Sequence, residues 1–169
     1  VLADDPKAKL NELFDYYVER NFVTKAYQER LLESAVRRLL FRDDPRIGAQ
    51  YAQEKVGTSD FLVNFPFVHK TGNVVDRIIK PLYLGQDDST RVLNHGGLWV
   101  DKIRRLRKRN ALPKNVLFPI AAPRVESKAY RAYEEIRQDL VEVDVEVTQA
   151  NNETKILAFA SEVASPADH

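Results

Sequence analysis

DFLVNFPFVHKTGNVVDRIIKPLYL, Asp60 to Leu84, is the stretch whose reading decides the fold. Aromatic and β-branched residues crowd both sides of Lys70-Thr71-Gly72-Asn73, and the four between them suit a turn. The pattern predicts two strands joined as an antiparallel hairpin. Pro66 has no N–H to give a ladder, so the first strand should bulge or lie at a sheet edge there. Pro81 has the same effect on the second strand directly after Lys80. Lys80 is therefore expected at the rim, with its stem over apolar neighbours and its ammonium in water. Ile78 and Ile79 should be buried.

Upstream of the hairpin the period is helical. Asp5 and Pro6 suit a helix start, and Leu10, Leu13, Phe14, Tyr17 and Val18 recur along one face. A second helix is expected from the Thr24 cap to Phe41, with Leu32, Ala35 and Leu39 inward. Pro45 and Gly48 break it, and a short helix is expected around 49–56, ending at Gly57. Downstream, Ser89 or Thr90 caps a helix through Asn110, weakened at Gly96 and Gly97. NVLFPI, 115–120, is nearly all apolar, as in a central strand covered on both faces. A helix follows with Ala129, Tyr133 and Ile136 inward. Residues 141–148 alternate as a strand with one wet face, and 152–163 fit a last helix better than a strand. The order predicts an α/β fold: a small mixed sheet containing an antiparallel hairpin, helices on both faces, and helices in front. Residues 1–57 read as a helical segment packed on a core spanning 58–169.

Composition narrows the function classes. Of 169 residues, 44% are hydrophobic, enough for a real core, so global disorder is excluded. The net charge of +1 makes the whole chain no polycation, so any affinity for nucleic acid must come from local clustering. The absence of cysteine excludes disulfides and thiolate metal sites. No apolar run reaches the roughly 20 residues of a membrane span, and the first residues lack a leader pattern. The expectation is a cytoplasmic location with no membrane partner. The chain has no methionine, which suits either a trimmed start or a fragment of a longer protein.

The order of elements over roughly 30–148 resembles the core of the PD-(D/E)XK, or restriction-endonuclease-like, nuclease superfamily. There, one strand supplies an aspartate and the next supplies an acid, a spacer and a lysine. Alternate strand residues share a face, so acid and lysine project together. Two carboxylates hold magnesium, and the lysine steadies the attacking water or the charged transition state. The resemblance implies Asp60 in the place of the aspartate and Lys80 in the place of the lysine. Ile78 stands where the second acid belongs. Asp76, four residues before Lys80, is the substitute, about 13 Å away along an ideal strand unless a bulge intervenes. Glu33 on the preceding helix could stand for a helix carboxylate. Asp60, Asp76 and Lys80 are thus the candidate catalytic set, with Asp60 and Asp76 as metal ligands. The other reading of the three is charges on a solvated rim.

KIRRLRKRN carries a second feature. Lys102, Arg104, Arg105, Arg107, Lys108 and Arg109, followed by Lys114, form a basic run. Like charges at i, i+4 repel by a few tenths of a kcal/mol per pair, which suggests an anionic partner. Cations near a helix C-terminus also complement its dipole without any partner. Interleaved aromatics are lacking, so contact with the phosphate backbone is the expected mode. His95, beside Gly96 and Gly97, is read either as a ligand-approach site or as a locally bonded residue. Phe14, Tyr16, Tyr17, Phe22 and Tyr27 exceed the needs of one inner face, which suits packing on the sheet, a homo-oligomer or a missing partner domain. The chain is expected to be a nuclease-like module that binds DNA or RNA without a full catalytic set and without a cofactor. The alternatives are an active nuclease using magnesium and a non-catalytic protein-interaction or regulatory domain.

Overall fold

The computed structural model describes residues 25–162, and the first expected helix and the Thr24 cap lie outside them. Helix α1 covers 25–42. Then come α2 (Pro45–Ala49), β1 (Tyr51–Thr58), β2 (Phe61–Thr71), β3 (Val74–Ile79), β4 (Leu82–Tyr83), α3 (Ser89–Lys108), β5 (Asn115–Ala121), α4 (Ala129–Glu142), β6 (Glu146–Gln149) and α5 (Glu153–Ser161). β1, β2 and β3 form an antiparallel meander. β3 and β4 both pair parallel with β5, and β6 joins β5 in parallel. The fold is therefore α/β with a mixed six-stranded sheet.

Two apolar layers sandwich that sheet. On one face, Val63, Phe65, Ile78, Val116, Phe118 and Ile120 pack with Trp99, Ile103 and Leu106 of α3 and Tyr133, Ile136 and Leu140 of α4. On the other, Tyr51, Phe67, Ile79 and Leu117 meet Val36, Leu39 and Leu40 of α1 and Ile156 and Phe159 of α5. Successive residues of β3 and β5 alternate between the layers, as a pleated strand requires. β2 breaks the alternation, because Phe65 and Phe67 lie in different layers. The cause is the bulge foreseen at Pro66: between Ala52↔Val68 and Glu54↔Phe65, β2 carries one residue more than β1. A second bulge puts Asp76 opposite no residue of β2, since His69 pairs with Arg77 and Lys70 with Val75.

Several local expectations are corrected. Residues 51–58 are strand, not the end of a short helix. Gln53, Glu54 and Lys55 favour helix locally, but pairing with β2 satisfies their backbone and buries Tyr51 and Val56. The turn to β2 needs Gly57, at φ 149, where a Cβ would lie 2.0 Å from the Phe61 carbonyl oxygen. Residues 141–143 finish α4, so the last strand is only Glu146–Gln149; Asp144, at φ 62, makes the exit. Ala35 faces out, and Val36 and Leu40 join Leu39 in the core instead. Gly96 and Gly97 do not split α3. Gly96 lets α4 approach so closely that a Cβ there would meet Ile136 at 2.6 Å.

Ile78 and Gly96 measure how tightly the first layer is packed. Ile78→Ala should cost about 2–5 kcal/mol through the cavity it leaves. Gly96→Val should cost roughly 1–3 kcal/mol through overpacking. Chemical denaturation checks both, and losses below about 0.5 kcal/mol would contradict the packing described.

Candidate functional site

Lys80 sits where one long strand is interrupted. Its backbone N–H still donates to Leu117 O (2.8 Å), and Leu84 N–H donates to Ala121 O (2.8 Å). Pro81 lies between, so β3 and β4 are two pieces of one line along β5. On the other side, β2 last pairs with β3 at Phe67↔Ile79, just past the Pro66 bulge. Lys80 therefore stands in a fork of the sheet.

Its side chain does not surface as expected. Lys80 is 3% exposed. Its ammonium lies 3.7 Å from Glu29 Oε2 and 3.9 Å from Glu33 Oε1, both from α1, and 4.7 Å from the centre of the Trp99 ring on α3. Lys102 caps the same indole at 4.4 Å. The rim position failed because α1 and α3 close over the fork and bring two carboxylates and a π face to the ammonium, which satisfies it out of water. Burial pushes the Lys80 ammonium below the usual lysine range, against the pull of Glu29 and Glu33.

Glu29 is the hub. One of its oxygens, Oε1, accepts from Tyr83 N–H (2.9 Å) and from His95 Nε2 (2.9 Å). Burial raises its carboxyl, but His95, Lys80 and the Tyr83 amide outweigh that and hold it below the ordinary carboxylate range. Glu33 goes the other way, raised by burial that Lys80 does not offset. The other ring nitrogen of His95, Nδ1, is buried and has no hydrogen-bond partner among the described residues. One carboxylate thus links α1, β4 and α3 around a buried cation. Sequence reading named Glu33 and His95 but missed Glu29. The signal was there: Glu29 lies one helical turn before Glu33 and shares its face.

The proposed catalytic set is not brought together. Asp60 lies in the β1–β2 turn, bonded to Thr58 and to Arg109 Nε (3.2 Å). Because Phe67 is level with Ile79, Asp60 at the other end of β2 is on the order of 20 Å from Lys80. Asp76 turns to its own hairpin, with His69 Nδ1 at 2.5 Å and the Thr71 hydroxyl at 2.6 Å. The bulge at Asp76 points it toward these groups rather than toward Lys80. Asp60 and Asp76 therefore share no metal position, and among the described residues no group of three or more His, Asp or Glu side chains is arranged to hold a metal ion.

No family model, curated protein or solved structure matches this chain. The functional reading rests on its own side chains.

The basic run divides by role. Arg107 donates to the carbonyls of Pro113 (2.6 Å), Asp144 (2.8 Å) and Val143 (3.2 Å), so it fastens α3 to the loops before β5 and β6. It also borders an open groove of about 560 Å³ with Lys114 and Glu146. Arg109 pairs with Asp60 and lies over the Phe61 ring at 5.5 Å. Arg105 pairs with Asp101 one turn back at 2.8 Å. Lys102 is half-buried on Trp99. Arg104, Lys108 and Lys114 are exposed and make no ion pair among the described residues.

The buried hub gives a pH signature. Because the folded Glu29 carboxyl lies below its ordinary 4.5, its contribution is full above that pH and is lost as pH falls through the lower folded value. Glu29→Gln should flatten the loss of stability below about pH 4.5, measured by denaturation across pH. Glu29→Ala should cost roughly 3–5 kcal/mol at neutral pH, because it strands Lys80. Lys80→Met should cost less. Equal effects of the two would count against the hub.

Proposed function

We propose that this chain is a nuclease-like module that binds DNA or RNA through the phosphate backbone and does not cut by the metal route. One observation carries the reading. Arg104 and Lys108, one turn apart on α3, stay exposed and make no ion pair among the described residues, while their neighbours Arg105, Arg107 and Arg109 are each neutralised or bonded within the fold. Two like charges held in register at a repulsive cost suit a row of phosphates. Lys114 adds a third exposed cation beyond the helix end. Nothing at these positions reads base edges, so the mode is contact without sequence preference.

The order helix, meander, helix, parallel strand supports kinship in architecture with the PD-(D/E)XK nucleases, and Lys80 beside carboxylates of the leading helix is in keeping with it. Three features argue against metal-dependent cutting: Ile78 in place of an acid, Asp60 bound to Arg109, and Asp76 bound to His69. The contribution of α3 would then be affinity alone.

Fluorescence anisotropy with duplex DNA, single-stranded DNA and RNA tests this. Wild type should bind all three at about 50 mM salt and weaken steeply by about 200 mM. Arg104→Gln with Lys108→Gln should weaken binding on every sequence and lower the salt slope by about two. Absence of binding at about 50 mM salt would refute the proposal and favour a protein-interaction domain. Incubation with plasmid and RNA in magnesium and in manganese should leave them intact. Cleavage that disappears in Asp60→Ala would establish the nuclease instead.

A further inference from the structure

The end of α3 presents one guanidinium already posed to grip an oxyanion. Arg109 turns its Nε and Nη2 edge to Asp60, with Nε 3.2 Å from Oδ2 and 3.4 Å from Oδ1, and Nη2 3.2 Å from Oδ2. Two donors of one edge facing one carboxylate is the fork that arginine offers to carboxylate and phosphate alike. The pose does not depend on Asp60. The guanidinium lies over the Phe61 ring at 5.5 Å, and Nη1 donates to the Arg105 carbonyl at 3.0 Å. Asp60 reaches it from the turn between β1 and β2, 49 residues earlier in the chain, where the Thr58 hydroxyl bonds the same carboxylate. The pair is open to solvent, with side chains 30% and 64% exposed. An ion pair so exposed is worth little, so a phosphate can take the place of the acid.

We infer that Arg109 is a further phosphate-binding residue and that Asp60 fills its site in the free protein, a carboxylate standing in for a phosphate. The inference rests on the nucleic-acid reading above and adds a means of regulating it. Arg109 caps α3 directly after Lys108, so a backbone lying along Arg104 and Lys108 ends beside it. The neighbouring arginines do not share the arrangement. Arg107 donates to three carbonyls, and Arg105 holds an acid of its own helix, one turn back. Asp60 alone is brought by another element to the edge that a phosphate would use. Breaking its contact subtracts from affinity, so the protein binds less tightly than its cations allow.

Asp60→Asn in the full chain keeps the size of the side chain and removes its charge. Titrated against a single-stranded oligonucleotide across a salt series, it should bind roughly two- to fivefold more tightly than wild type, with a salt slope larger by about one. Asp60→Asn with Arg109→Lys has the same net charge as Asp60→Asn alone but lacks the forked edge. This double variant should lose the gain. An equal gain in the double variant would assign the effect to net charge and overturn the inference. Wild-type binding that Asp60→Asn leaves unchanged would overturn it while sparing the nucleic-acid reading. Absence of binding by both wild type and Asp60→Asn would overturn the two together.

Discussion

The contact between Glu29 and the Lys80 ammonium, inside a break in the sheet, is the constraint that orders everything around it. A buried ammonium is costly unless compensated, and compensation here comes from another element in each direction. α1 must lie where Glu29 and Glu33 reach the fork, and α3 must present Trp99 and His95. The Tyr83 amide donates to the same carboxylate, which ties β4 to the centre as well. A polar centre of this kind specifies position more sharply than apolar packing, because its geometry tolerates little sliding.

The rest of the sheet explains why that centre is isolated. β2 would cover Lys80 if it continued straight, but the bulge at Pro66 switches Phe67 to the other layer and lets the β1–β2 ribbon diverge. Asp60 is carried to the far tip of that ribbon, where Arg109 ties it to the end of α3. Asp76 is turned by its own bulge toward His69. Each acid found a partner away from the fork, and the lysine found its acids on a helix.

The hairpin, the central β5 and the helix faces were legible in the sequence because period and turn residues encode them directly. Pro66 and Pro81 were legible as interruptions because a missing N–H acts locally. β1 was not, since Gln53, Glu54 and Lys55 prefer helix and only pairing with a neighbour overrides them. The burial of Lys80 was also hidden, because it depends on residues about fifty positions upstream and about fifteen to twenty downstream meeting in space. The basic run was visible as composition. Its division into fasteners such as Arg107 and free cations such as Arg104 was not, because that depends on carbonyls and acids far along the chain.

β5 is bonded on both sides, to β3 and β4 along one edge and to β6 along the other. In chain order this has a consequence for synthesis. The β1–β3 meander is complete once Ile79 has emerged, yet the outer edge of β3 waits for β5, beyond the whole of α3. At about 5–20 residues per second, that edge stays open for several seconds on the ribosome. It offers Ile78 and Ile79 with unpaired backbone groups to any extended chain nearby. The nascent protein therefore passes through a period in which that edge can pair with other chains before its own partner strand exists.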